Sequence, residues 1–162
     1  MCIIIDTNVF GDVFNKESKS HLKFEPVINW ILKGKGKIVY GGTKYKNELG
    51  TAKKYLKLLV EFEKMNKVVR VDDEKVDARE KEIKKENRSS DFNDEHLVAI
   101  VIESGCMLIC TKDSSAVPFI KDPAFYPKHC KRPKIYSGKR NKKLLADCNI
   151  APICKEKKKA LG

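Results

Sequence analysis

Apolar residues recur along the chain in two patterns, which together predict alternating strands and helices. Short continuous apolar runs, such as the run at 2–5, are typical of strands buried on both faces of a sheet. The predicted strands are residues 2–5, 38–40, 67–71, 107–110 and 134–136. Spacings of three and four residues between apolar positions predict amphipathic helices. The predicted helices are residues 7–14, 26–32, 43–49, 51–65, 73–88, 93–103 and 114–120.

Two neighbouring helices in this pattern differ sharply in polarity. Residues 73–88 are mostly charged, so we expect that helix to be largely solvated. Residues 93–103 are strongly apolar and stop at Gly105. With His96 placed on the exposed side of this second helix, a rotation of about 100° per residue turns Asp94 toward the protein interior. Asp91 precedes the first turn and is the better candidate for a helix cap.

The alternation of strand and helix indicates the fold class. Apolar strands separated by helices favour a parallel sheet covered on both faces, and functional groups then collect beyond the carboxyl ends of the strands. We therefore predict an α/β protein, a three-layer α/β/α Rossmann-like fold with a parallel sheet of four to five strands. Residues 1–137 form the predicted domain, and residues 138–162 form a basic C-terminal extension.

Composition narrows the class of protein. The 162 residues are 41% hydrophobic, and no apolar run approaches the roughly 18 to 20 residues of a membrane span. The start of the chain lacks the basic region and cleavage site of a secretory signal, so we expect a cytoplasmic protein with reduced cysteines. A zinc site from His129, Cys130, Cys148 and Cys154 is an alternative, but its spacing matches no common zinc pattern.

The net charge of +12 indicates a protein that favours polyanionic partners. Basic side chains release counterions when they contact phosphates, so RNA is the expected partner. A solvated, lysine-rich surface is the competing interpretation.

Four carboxylates stand out against this basic background. Asp6 and Asp113 each follow a predicted strand, Glu48 lies in the short helix after the second strand, and Asp94 opens the apolar helix. Each has a structural explanation alone, as a helix cap, a dipole-favouring acid or a surface acid. Together they would repel one another unless a cation lay among them, and carboxylate oxygens select Mg²⁺ or Mn²⁺.

These residues resemble the motifs of PIN-domain ribonucleases. Residues 6–9 (Asp-Thr-Asn-Val) after an apolar strand are similar to the first motif, and Glu48 stands where the second acid would. Residues 93–99 resemble the third motif and residues 108–113 the fourth. The resemblance covers about residues 1–137. It implies a Rossmann-like domain that cleaves RNA with Mg²⁺ or Mn²⁺ held by Asp6, Glu48, Asp94 and Asp113.

The resemblance also implies supporting residues and partners. Thr7, Asn8 and Thr111 would orient the ligands or a phosphate. Many relatives are toxins of toxin–antitoxin pairs, and many form homodimers, so an antitoxin or a second copy of the chain is an expected partner. The chain departs from the family after Asp113, where Phe119 comes later than the usual aromatic residue, and residues 123–162 have no counterpart.

Other chemistries fit the sequence less well. An aspartyl-nucleophile phosphatase would need a second Asp where Asn8 stands, and neither a P-loop nor a GxSxG elbow is present. The main alternative is a non-catalytic RNA-binding or partner-binding protein that retains the PIN fold. Divalent-metal binding that disappears in Asp6→Asn separates the two.

Overall fold

A computed structural model describes residues 2–147 and 151–154 as an α/β structure built on a five-stranded, all-parallel sheet with helices packed against it. The strands are β1 (Cys2–Ile5), β2 (Lys37–Tyr40), β3 (Val68–Arg70), β4 (Leu108–Cys110) and β5 (Lys134–Tyr136). The helices are α1 (Phe10–Phe14), α2 (His21–Lys33), α3 (Thr43–Gly50), α4 (Lys53–Lys64), α5 (Asp73–Glu86), α6 (Glu95–Ser104) and α7 (Val117–Ile120). The predicted Rossmann-like α/β/α class is confirmed.

The order of the strands is β3-β2-β1-β4-β5, so the chain changes direction at β1. It first builds outward through β2 and β3, and then crosses through α5 and α6 to β4 on the other side of β1. The registers Cys2↔Lys37 and Ile5↔Cys110 show β1 paired in parallel with both neighbours. A parallel sheet has its ligand-binding crevice at such a switch point, which here lies between β1 and β4.

Strand β1 lies at the centre of the core. Its residues are buried, with Ile3, Ile4 and Ile5 at 0% exposure, because strands and helices cover it on every side. The uninterrupted apolar run that predicted a doubly covered strand is therefore explained by the position of β1 between β2 and β4.

Helix α2 begins at His21, five residues before the predicted start at residue 26. Pro26, interpreted as a helix start, lies inside the helix. The apolar positions Phe24, Val27 and Ile31 are spaced by three and four residues and are all buried. Their burial outweighs the cost of about 3 kcal/mol for a proline in a helix interior.

Helices α5 and α6 pack against each other, and their burial confirms the expectation of a largely exposed α5 but corrects that for α6. Most of α5 is exposed, but Val76, Glu80 and Ile83 are buried on the side that faces α6. With α5 and the sheet around it, α6 is buried on nearly all sides, and His96 is only 1% exposed. The expectation of an exposed face at His96 is therefore wrong.

The end of the described chain lies against the domain. Asp147 accepts hydrogen bonds from Trp30 Nε1 (2.8 Å) and from the Lys35 amide (3.2 Å). Further on, Cys154 is buried and forms a disulfide with Cys2. The expectation of fully reduced cysteines is wrong for this pair, because the chain returns to the start of β1.

Two other expectations concern a zinc site and membrane-spanning helices. The disulfide removes Cys154 from the zinc alternative, and Cys148 lies outside the described residues. Across residues 2–147 and 151–154, no helix combines the length and the apolar character needed to cross a membrane.

Candidate metal centre

The candidate centre lies at the carboxyl ends of β1 and β4, on either side of the switch point. Asp6 directly follows β1, and Asp113 follows β4 by three residues. Asp94 occupies the N-cap position of α6, and Glu48 lies in α3 beyond β2. Four acids from four separate segments are thus brought to one edge of the sheet.

Asp6 is a buried carboxylate with only 4% exposure. Its Oδ2 accepts a hydrogen bond from Thr111 Oγ1 (2.8 Å), and its Oδ1 accepts a longer one from the Asn8 amide (3.4 Å). Burial raises the pKa of Asp6 and the nearby charge of Asp94 raises it further, while the Thr111 hydrogen bond opposes the rise. A bound cation would relieve the cost of holding this group ionised.

Glu48 is held by two side chains that meet the same oxygen. Thr7 Oγ1 donates to Glu48 Oε2 at 2.8 Å, and His96 Nε2 lies 3.4 Å from that atom. The His96 ring lowers the pKa of Glu48 and the Thr7 hydroxyl acts in the same direction, whereas burial raises it. Glu48 is therefore favoured in its anionic form, as a metal ligand with a defined orientation.

Asp94 connects the acids electrostatically. Burial raises its pKa, and the charges of Glu48 and Asp113 raise it further, against the lowering effect of His96 and Lys44. Although Asp94 occupies the N-cap position, its side chain forms no cap hydrogen bond. One ligand atom from each of Asp94, Glu48 and His96 lies within 4.8 Å of the others.

Asp113 has a different environment. It is partly exposed, and its Oδ1 accepts from Ser115 Oγ (2.6 Å), the Ser115 amide (3.0 Å) and the Ala116 amide (3.3 Å). These hydrogen bonds lower the pKa of Asp113. Asp113 therefore stabilises the turn before α7 through one oxygen and, like Asp6, lies outside the group formed by Glu48, Asp94 and His96.

The three supporting residues predicted from the sequence lie beside the acids. Thr111 is buried and bridges the two strand ends, since its hydroxyl donates to Asp6 and accepts from the Asp113 amide (3.1 Å). Thr7 orients Glu48. Asn8 contacts Asp6 through its backbone, while its side chain is exposed.

Three acids lie close together in the sequence around residue 94, and their side chains have different surroundings. Asp91 is exposed, and Glu95 is buried against α5, where its Oε1 accepts from Asn87 Nδ2 (2.9 Å). Only Asp94 joins Glu48. Asp94 thus lies beside Glu48, but the rotation argument that predicted its orientation is wrong, because His96 is buried and Asp94 is the N-cap residue outside the helix.

His96 is the member of the centre that sequence reasoning missed. Neither of its ring nitrogens forms a hydrogen bond with any described residue. The signal that could have found it is its position two residues after Asp94, which is the N-cap of α6 and therefore does not follow the helical rotation that would separate the two side chains. Carboxylates with a buried, unpartnered imidazole form a donor set that suits a divalent cation.

A groove beside Asp113 provides room for a substrate. It has a volume of about 670 Å³, and Lys23, Lys112, Asp113 and Arg140 are among its lining residues. A second cavity of about 660 Å³, lined by Lys128, Lys131, Arg132 and other residues, contains no carboxylate.

Comparisons with protein-family models, with curated proteins and with solved structures found no match to this chain. The case for a family therefore rests on the motifs and on the geometry of the site.

Proposed function

We propose that this chain is a metal-dependent endoribonuclease of the PIN type, which hydrolyses RNA phosphodiester bonds. The observation that carries the proposal is the placement of Asp6, Glu48, Asp94 and Asp113 at one edge of a parallel sheet, where Glu48 and Asp94 lie close enough to share a cation. Asp94 lies within electrostatic reach of the other three acids. Carboxylates gathered at one edge repel one another, and a cation bound among them would relieve that repulsion.

The four acids would hold Mg²⁺ or Mn²⁺, because both ions take carboxylate oxygens and keep several waters. When bound, such an ion polarises a phosphodiester and lowers the pKa of an attacking water. The protein's own contribution is positional. Thr111 holds Asp6, and Thr7 holds Glu48, so both carboxylates are oriented before a ligand arrives.

The groove beside Asp113 suits the RNA backbone. Lys23 and Arg140 are exposed, and neither forms an ion pair with the described residues. Lys112 Nζ forms an ion pair with Asp12 Oδ2 at 2.8 Å, which leaves Lys112 less available to bind phosphate. A strand bound by Lys23 and Arg140 would bring its phosphates to the acidic edge, which is the feature that the carboxylate-free cavity lacks.

The alternative, a binding protein without catalysis, explains the basic surface but leaves the oriented acids without a role. Membership of a toxin–antitoxin or phage-defence system and an antitoxin or homodimeric partner extend the proposal by resemblance alone, and a cytoplasmic location extends it from the sequence at the start of the chain. Growth arrest on expression, relieved by the product of a neighbouring gene, tests that extension.

The direct test is cleavage of a labelled RNA in the presence of chosen metals. Activity is expected to vanish in EDTA and to return with Mg²⁺ or Mn²⁺, but poorly with Ca²⁺, which is larger and tolerates looser geometry. Robust cleavage in excess chelator would overturn the proposal.

A second measurement tests the RNA interface. RNA affinity is expected to fall with salt by about 0.7 log units per log unit of salt for each phosphate contact. Lys23→Gln with Arg140→Gln should reduce that slope, and Lys128→Gln with Lys131→Gln in the other cavity is the matched control. A slope that changes only in the control pair would assign RNA binding to the other cavity.

A further inference from the structure

His96 is a buried polar side chain whose surroundings do not satisfy it. Its exposure is 1%, and neither Nδ1 nor Nε2 has a hydrogen-bond partner among the described residues. Buried imidazoles are ordinarily paired, because an unpaired polar group loses its bonds to water on folding. The other buried histidine, His21, follows that rule through a contact of 2.8 Å between its Nδ1 and the Asp12 carbonyl.

The His96 ring is aimed at the acids. Its Nε2 lies 3.4 Å from Glu48 Oε2, and one ligand atom from each of His96, Glu48 and Asp94 lies within 4.8 Å of the other two. Ligands of one divalent ion, each about 2.0 to 2.2 Å from it, are at most about 4.4 Å apart. A small inward shift of these side chains would therefore place all three around one cation.

We infer that His96 is a nitrogen ligand of the divalent cation, and that it makes the centre prefer Mn²⁺ to Mg²⁺. Imidazole nitrogen favours first-row transition-metal ions, of which Mn²⁺ is the most weakly bound, whereas Mg²⁺ is served by carboxylate and water oxygens. This inference rests on the proposed metal-dependent function and refines the metal expected there. In a purely carboxylate centre, Nδ1 of His96 would have no partner among the described residues, and Nε2 would have only its 3.4 Å approach to Glu48 Oε2.

The competing role for His96 is to orient Glu48 by donating a hydrogen bond from Nε2. The two roles predict different results. A residue that only positions Glu48 would affect the binding of every metal by a similar factor, because Glu48 would contribute to each. A nitrogen ligand would affect Mn²⁺ far more than Mg²⁺.

The experiment compares metal binding by the full chain and by His96→Gln, with His21→Gln as the control for loss of a buried imidazole. Calorimetric titration of His96→Gln is expected to show at least about a 10-fold loss of Mn²⁺ affinity, with Mg²⁺ affinity changed less than about 3-fold. His21→Gln should leave both affinities unchanged. Equal losses for the two metals in His96→Gln would overturn the inference.

A spectroscopic measurement on the unmodified protein does not depend on whether the variant folds. Electron spin-echo modulation of the Mn²⁺-loaded chain is expected to show coupling to an imidazole ¹⁴N nucleus, and its absence would overturn the inference. RNA cleavage is measured on the same samples. Cleavage without nitrogen coupling would leave the proposed function standing alone, whereas coupling without cleavage would leave the metal site standing alone.

Discussion

The surroundings of Asp6 and Asp113 differ, although both residues follow a central strand of the sheet. Asp6 is buried, and it receives only one short hydrogen bond, from the Thr111 hydroxyl. Asp113 is partly exposed, and one of its oxygens accepts three hydrogen bonds from Ser115 and Ala116. The pKa of Asp6 is raised by burial, and that of Asp113 is lowered by its hydrogen bonds.

The difference shows that a position at a strand end does not by itself define a role. Asp113 stabilises the turn before α7 with one oxygen and has the other for a ligand. Asp6 caps the short 3₁₀ helix Thr7–Val9 through a longer hydrogen bond from the Asn8 amide, and its burial is costly unless a cation is present. Thr111 joins the two regions, because its hydroxyl contacts both the Asp6 carboxylate and the Asp113 amide.

The largest effect is expected from Asp6→Asn. It removes the most buried charge of the proposed centre while keeping the shape, so cleavage and Mn²⁺ affinity should each fall more than about 100-fold, beyond the range for losing a ligand's hydrogen-bond partner. Thermal unfolding without metal should show equal or higher stability, since a desolvated charge is removed. Full activity in Asp6→Asn would mean that the buried carboxylate of Asp6 is not needed for cleavage, and the proposed difference between Asp6 and Asp113 would be wrong.

A smaller effect is expected from Thr111→Val, which keeps the volume and removes the shared hydroxyl. Mn²⁺ affinity should fall about 10- to 100-fold because Asp6 loses its orienting partner. Stability should fall by about 1 kcal/mol. Ser18→Ala is the matched control, because Ser18 donates to Asp12, a buried carboxylate outside the centre. A comparable loss of Mn²⁺ binding in the control would mean that Thr111 acts only through stability.

Asp113→Asn is expected to have a weaker effect on metal affinity, below about 10-fold, because a partly exposed charge is screened by water. Its amide oxygen can still accept the capping hydrogen bonds from Ser115 and Ala116. Asp122→Asn is the control, since Asp122 caps a neighbouring turn by accepting from the Ala124 amide. If calorimetry showed equal losses of metal affinity in Asp113→Asn and Asp6→Asn, the two acids would contribute equally to metal binding.

The smallest effect is expected from Asp91→Asn, which removes an exposed acid three residues before Asp94. Mn²⁺ titration and RNA cleavage should both match the unmodified chain. A loss of Mn²⁺ affinity there would show that the loop before α6 contributes an acid to the centre.

The main strands and the positions of the acids could be predicted from the sequence because they depend on local patterns. An apolar run followed by Asp, as at 2–6, marks the carboxyl end of a buried strand wherever it occurs. The environment of His96 could not be predicted in this way. It depends on residues far away in the sequence, because the His96 ring lies beside Glu48 and Tyr45 of α3.

Long-range geometry explains the other differences. The distinction between Asp6 and Asp113 depends on Thr111, which is 105 residues from Asp6 in sequence. The start of α2 was misplaced because the local signal of Pro26 is weaker than the burial of the apolar face around it. No local pattern pairs Cys2 with Cys154.

The Cys2–Cys154 bond makes the described chain nearly circular, since the two cysteines are 152 residues apart. A single protease cut in any loop between them would leave two fragments held by a covalent link as well as by the core. The fragments would migrate as one species on a non-reducing gel and as two after reduction. The same closure places Cys2 and Cys154 side by side at the start of β1, so a circular permutant could join these positions and begin at an exposed loop such as residues 65–67.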